Sequence, residues 1–276
     1  MMGSRWRRGG FFGSVFALAA VVLSGGAARP TDLTAPSAPR HRPIVIHHVR
    51  EGLVTAYNWS GYGVTGPVGS VTDVKGSWTV PVVTCARGET SYSSFWVGID
   101  GFTSSTVEQT GTDSDCRNGV PTYSAWFEFY PHPMLIVNSL TISPGDVMSA
   151  EVVYSPSARR FTVTLVDKTT GQSFSTSTKV SGAQRSSAEW IAEAPSSASG
   201  ILPLADFGTV DFGVDPGVAN PDTATVGGAP GPIGSFPAAT VWEITMVSPS
   251  GAVKAQPSGL GSDGSSFSDT WQSSGP

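Results

Sequence analysis

Beyond residue 50 the chain has a single histidine, His132, held between Pro131 and Pro133. A Ser-His-Asp or Cys-His mechanism there would have to use it. Neither Gly-x-Ser-x-Gly nor His-Glu-x-x-His occurs, which removes the nucleophile elbow and the zincin helix. Residues 53–276 cannot supply a zinc site with two or three histidine ligands. His132 therefore reads as a loop residue. The chemistry left open is that of carboxylates and amides, with no metal and no cofactor expected.

Three stretches carry such groups. In Ser124-Ala125-Trp126-Phe127-Glu128-Phe129-Tyr130, period-2 alternation puts Trp126, Glu128 and Tyr130 on one face and Ala125, Phe127 and Phe129 on the core face. An acid between two large aromatics is the make-up of a binding groove. In Ala188-Glu189-Trp190-Ile191-Ala192-Glu193, Glu189 and Glu193 share a face. Strand rise sets their Cα atoms about 13 Å apart, so a partner for Glu189 must come from another strand. Residues 95–101 and 107–113 read as two strands joined by a short loop. Asp100 and Asp113 then lie at strand ends, where sites on sandwiches are commonly built, and Gln109 lies inside the second strand.

The elements that position these groups are strands. Gly and Pro make up about a fifth of the 276 residues, which leaves no stretch for a long helix, while 39% hydrophobic and 10% aromatic content is enough for a core. Strands are expected at 71–80, 94–99, 124–130, 146–154, 161–167, 173–180, 188–193, 241–247 and 265–271, with a hairpin turn at Thr169–Gln172 and a long loop at 214–234. No βαβ alternation appears, so the expected fold is all-β, an antiparallel sandwich of two sheets. A formal net charge of −5 and the lack of a basic stripe argue against nucleic acid as a partner.

The first fifty residues differ from the rest. Arg5, Arg7 and Arg8, a 13-residue apolar run from Phe11 to Leu23, and small residues ending at Ala28 have the layout of a secretory signal. The run is too short for a membrane anchor. A signal at 1–28 implies a secreted, extracellular protein with no membrane association after its removal. Residues 1–50 hold seven of the 16 basic residues and one acid, whereas the other 226 carry nine basic and 20 acidic groups. The Pro-rich basic segment 29–52 is therefore expected to be a removable propeptide held on an anionic domain at 53–276. Cys85 and Cys116, an even count in an oxidising compartment, are expected to form one disulfide.

Five blocks in order carry a family likeness: Asn58-Trp59-Ser60-Gly61, Trp96-Val97-Gly98-Ile99-Asp100-Gly101, Gln109-Thr110-Gly111, Trp126-Phe127-Glu128 and Ala188-Glu189-Trp190-Ile191. Together they resemble the glutamic peptidases (eqolisins, peptidase family G1) over roughly residues 55–272. The resemblance implies a concanavalin A-like lectin/glucanase type of sandwich with two seven-stranded antiparallel sheets. It also implies an endopeptidase active in acid, insensitive to pepstatin, with a Glu/Gln dyad that falls on Glu189 and Gln109. Substrate-binding positions would be Trp59, Asp100, Asp113, Trp126 and Glu128. The family's Trp-Tyr-Glu-Trp-like strand reads Trp126-Phe127-Glu128-Phe129-Tyr130 here, so side-chain preference does not carry over. Protein or peptide substrates and the chain's own propeptide are the implied partners, with a monomer expected. Two other readings stay open: a glycan hydrolase using Glu128 with Glu189, which would have no need of Gln109, and a non-catalytic glycan-binding module, which would have no need of a propeptide.

Overall fold

The computed structural model describes residues 32–35, 41–50, 52–213 and 221–275. The expected signal segment, 1–28, lies outside the described residues. The chain opens with β1 (Leu33–Thr34), β2 (Ile46–Arg50), β3 (Leu53–Ala56), β4 (Trp59–Thr65) and β5 (Val71–Thr79). A meander follows through β6 (Ser94–Ile99), β7 (Val107–Arg117), β8 (Val120–Tyr130) and β9 (Leu135–Val137). A second runs through β10 (Val147–Ser155), β11 (Arg160–Asp167) and β12 (Ser173–Thr178) before β13 (Ser187–Glu193) returns to the first. Short pieces β14 (Ser196–Ser197), β15 (Gly200–Ile201), β16 (Thr209–Phe212), β17 (Thr223–Val226) and β18 (Ala229–Pro232) lead to β19 (Val241–Val247), β20 (Val253–Pro257) and β21 (Phe267–Trp271).

Pairing gives two layers. One runs β8-β7-β6-β13-β4-β19-β3, the other β12-β11-β10-β5-β16-β21-β20, and β19 also meets β20 across a bulge. This is the two-sheet sandwich that the alternation predicts, with one departure. β3 runs parallel to β19, Leu53 opposite Glu243 and Ala56 opposite Met246. Most of the chain separates the two strands, so no hairpin dictates their relative direction.

The core lies between the sheets. Val97, Trp190, Phe95 and Phe127 of the first layer meet Trp78, Val74, Met148 and Leu165 of the second. Two indoles reach across and hydrogen-bond the facing layer: Trp190 Nε1 donates to the Lys75 carbonyl at 2.7 Å, and Trp78 Nε1 to Thr112 Oγ1 at 2.9 Å. Gly76 clears space beneath Trp190, since a Cβ there would lie 2.8 Å from its ring and 2.7 Å from Val97. β11 alternates between buried and part-exposed residues, as a strand with one wet face should. β6 and β13 are buried at every position, so their outer face is covered too.

The hairpin turn at 169–172 joins β11 to β12, with Gly171 at φ +76° and the Asp167 carboxylate accepting the N–H groups of Thr169 and Thr170. Within the expected loop 214–234, residues 214–220 lie outside the described residues. The remainder folds into the β17–β18 hairpin laid on β5. Residues 41–50 are part of the packed structure: β2 forms a hairpin with β3 across the boundary expected at 52/53. Cys85 and Cys116 are bonded, and no free cysteine is present among the described residues. No helix among the described residues is long and apolar enough to cross a membrane.

Candidate active site

Register across β4, β13, β6, β7 and β8 aligns Gly63, Glu189, Gly98, Gln109 and Glu128 in one row. Members of such a row share a face, here the outer one. Glycines flank Glu189 on both sides. No side chain therefore stands between it and Gln109, two strand spacings or about 9.6 Å away along the row. A Cβ at Gly98 would sit 3.2 Å from Gln109 Cβ and 3.0 Å from the Trp96 ring, which is why the position calls for glycine. The next row on this face is Gly61, Ile191, Trp96, Gly111 and Trp126, and the one after it is Trp59, Glu193, Ser94, Asp113 and Ser124. Gly111 leaves a gap between the Trp96 and Trp126 indoles. A Cβ at Gly111 would fall 2.2 Å from the Phe95 carbonyl.

Glu189 and Gln109 are buried, at 0% and 1% exposure. Gln109 Nε2 donates to Glu128 Oε2 at 3.0 Å. Gln109 Oε1 and both Glu189 oxygens have no hydrogen-bond partner. Burial pushes the Glu189 carboxyl well above the usual carboxylate range, and the nearby Asp100 and Glu108 push the same way. Glu108 faces the opposite side of β7 from Gln109 and is likewise raised by burial, then by Asp100. A short polar row with unsatisfied lone pairs, walled by indoles, is suited to holding a polar backbone and acting on it through a proton and a hydrogen-bond donor.

At the far end of the trough lies a second acidic group. Asp113 accepts from Ser94 Oγ, and burial followed by the neighbouring Asp115 raises its carboxyl to about 7. Glu193 accepts Trp96 Nε1 at 2.9 Å and is also raised by burial. Residues 41–44, from the leader segment expected at 29–52, are seated here. The His41 ring stacks on Trp126 with centroids 3.8 Å apart and 12° between planes. Its Nδ1 lies 3.1 Å from Glu193 Oε2, its Nε2 3.8 Å from Asp113 Oδ1, and the Arg42 N–H donates to Glu193 Oε1 at 3.2 Å. Burial lowers the His41 imidazole to about 4, with Asp113 acting against the shift. Ile44 continues onto the apolar cluster of Trp59, Trp96, Val107 and Phe102, and its N–H donates to the Gly101 carbonyl at 3.1 Å. Within residues 41–50, His41 is the residue that faces acids, Glu193 and Asp113. Stacking, hydrogen bonds and apolar burial hold residues 41–44 there.

The structure brings Glu189, Gln109, Glu128, Trp126, Trp59 and Asp113 to one face. Trp59 is fully buried, edge-on to Trp96 with centroids 4.9 Å apart. Asp100 has a different place. At φ +75°, its carboxylate accepts the N–H groups of Gln184, Arg185 and Ser186 and the hydroxyls of Ser186 and Thr106, so it ties the loop before β13. Sequence reasoning passed over Glu193, Trp96, Ser94 and His41 as parts of the site. Alternation from Glu189 already put Glu193 on the right face, but no local signal marks His41. Asn58, the first residue of an Asn-x-Ser glycosylation sequon, is fully buried, with its amide bonded to Pro43 and Val45.

Similarity to known proteins follows the same residues. The model of the Peptidase A4 family matches residues 57–230. Aspergillopepsin-2 of Aspergillus niger is 34% identical over 177 residues, 56% of this chain and 62% of that protein. Scytalidopepsin B of Scytalidium lignicola is 37% identical over 140 residues, 49% of this chain and 51% of that one. The chain thus spans between half and two thirds of these relatives' length. In three dimensions it resembles scytalido-glutamic peptidase bound to a transition state analog inhibitor, with TM-score 0.63 and 26% identity, covering 78% of this chain and 98% of that one.

Proposed function

The chain belongs to the Peptidase A4 family, and from that premise we propose that it is a secreted endopeptidase, active in acid, whose reaction is carried by Glu189 and Gln109. The observation that carries the proposal is the single row Glu189-Gly98-Gln109-Glu128, with its glycine gap and the unsatisfied oxygens of Glu189 and Gln109. Glu189, once ionised, takes a proton from a water that attacks the scissile carbonyl, then returns that proton to the leaving amine. Gln109 has one N–H committed to Glu128 and a second free for the developing oxyanion, while its carbonyl orients the water. An amide suits this role because it does not titrate, whereas a second carboxylate would share a proton with Glu189. Trp126, Trp59, Asp113 and Glu128 line the substrate trough.

The same geometry supports latency. Residues 41–44 lie over the indole layer of the trough and so block the way to it. Removing that segment opens the trough to substrate and water, and a solvated Glu ionises near pH 4.3, where such a base works in acid. The glycan-hydrolase reading fits less well. Glu128 and Glu189 leave the backbone three strands apart, about 14 Å, with Gln109 between them and bonded to Glu128, whereas a glycosidase pair faces one sugar bond with nothing between.

The test is cleavage of an acid-denatured protein across about pH 2–7 by leader-free enzyme, wild type beside Glu189→Gln, with and without pepstatin. The expected result is acid-limited, pepstatin-insensitive cleavage that the substitution abolishes. A folded, leader-free wild type that cuts nothing would overturn the proposal.

A further inference from the structure

A separate cavity of about 510 Å³ opens near the β19–β20 turn, walled by Ile201, Leu202, Pro203, Val247 and Pro249, with the Tyr57 ring at one side. None of its lining residues belongs to the three rows of the trough. One wall carries a cation. Lys254, in β20, is 4% exposed, and its ammonium has neither a hydrogen bond nor an ion pair among the described residues.

The lysine is held in place by its surroundings. Its own carbonyl accepts the N–H groups of Gln272 (2.7 Å) and Ser273 (3.2 Å), and the Ser274 carbonyl accepts the Leu204 N–H at 3.1 Å. The segment 272–275 is thereby clamped beside the lysine stem, close enough that a Cβ at Gly275 would lie 3.1 Å from Lys254 Cε.

A largely buried ammonium with no protein partner is costly, and a methionine of similar length would fill the space without that cost. Lysine at this position makes sense if an anion comes to it. The other walls restrict which anion, because a small inorganic ion would leave the apolar surface wet, whereas an acid with an alkyl tail satisfies both ends. We propose that this cavity is a second ligand site, for a carboxylate carried on an apolar chain, with the Lys254 ammonium as its counter-ion. Two sources supply that chemistry: a free medium-chain fatty acid, and the C-terminal carboxylate of a peptide ending in apolar residues. Burial lowers the ammonium only to about 8, so at pH 6 both partners are charged.

The experiment uses the full chain at pH 6 and follows heteronuclear NMR shifts and melting temperature with four probes: octanoate, octanol, acetyl-Leu-Leu with a free carboxylate, and the same peptide as its amide. The expected result is saturable binding of at least one carboxylate, at least tenfold tighter than its neutral twin, with a rise in Tm that follows occupancy. Lys254→Met should erase that tenfold preference without lowering the unliganded Tm, which separates a lost counter-ion from a damaged fold. Leu202→Trp, which fills the cavity and keeps the charge, should abolish binding of both acids. Octanoate alone binding identifies a lipid acid as the ligand, and the peptide acid alone identifies a chain terminus. The proposal is overturned if neutral probes bind as tightly as acids, if Lys254→Met keeps the preference, or if no probe binds at millimolar concentration.

Discussion

The two faces of β13 make an instructive contrast. Trp190 points inward, meets Val97 and the facing sheet, and donates its indole N–H to the Lys75 carbonyl. Glu189, its neighbour in sequence, points outward into a row with Gln109 and leaves both oxygens without partners. Each is fully buried. The inward face satisfies its polar atoms and fills its volume, which is what stability requires. The outward face keeps acids buried with incomplete partners and clears space with Gly63, Gly98 and Gly111, an arrangement that costs stability and suits chemistry. On β13, burial alone does not distinguish the two faces, whereas hydrogen-bond satisfaction does.

The contrast can be tested by breaking each face in turn. The largest effect on stability should come from Trp190→Ala, which opens an inter-sheet cavity and leaves the Lys75 carbonyl unpaired. It should cost about 3–5 kcal/mol by denaturant unfolding. A loss under 1 kcal/mol would mean that the sheets are held together elsewhere. Gln109→Ala should do the reverse. Its kcat should fall about 10²–10³-fold through loss of the oxyanion donor, equivalent to about 2.7–4 kcal/mol, with little change in Tm. Most of the activity surviving would remove Gln109 from the mechanism.

A smaller effect concerns pH. The folded Asp113 carboxyl is raised, to about 7, above the value it has in an unfolded chain. Its contribution to stability is therefore complete below about pH 4 and is lost as pH rises toward 7, by up to about 1.4 kcal/mol per pH unit while it titrates. Asp113→Asn should flatten the fall in Tm between pH 4 and 7, and an unchanged slope would assign the titration to other groups. The smallest effect concerns the leader. The docked His41 imidazole is lowered to about 4, so its contribution to docking is present above about pH 6.5 and is lost as pH falls through 4. Glu193 and Asp113 face it, and both are raised, so they oppose release in acid. In incubations near pH 3–4 the leader should be shed and cut away by the enzyme itself, as read by intact mass. In His41→Phe, which keeps the stack on Trp126, the acid dependence of shedding between pH 6.5 and 4 should shrink. A wild type that stays full length in acid would refute the scheme.

Much of the trough was legible in sequence because strand alternation is a local rule. Trp126 and Glu128 follow from the pattern of one strand, and Phe127 and Phe129 go inward by the same rule. Asp100 was misleading for a related reason: a strand-end acid marks either a site or a loop anchor, and only its five donors identify the anchor. His41 carried no signal, because its partners Trp126 and Glu193 lie 85 and 152 residues away in the chain.

The sequence by itself determined the strand-rich class, the cysteine pair, the leader's separate composition and the five motif blocks. Each of these depends on residue type and near-neighbour spacing, which a linear chain states openly. Tertiary structure alone decided that Gly98 separates Glu189 from Gln109, that β3 runs parallel to β19, that the leader's histidine sits in the trough and that Lys254 faces an apolar cavity. These depend on register between strands far apart in the chain. A shift of one residue would turn every side chain of a strand to the other face, and what fixes the register is the packing of two whole sheets rather than any local pattern.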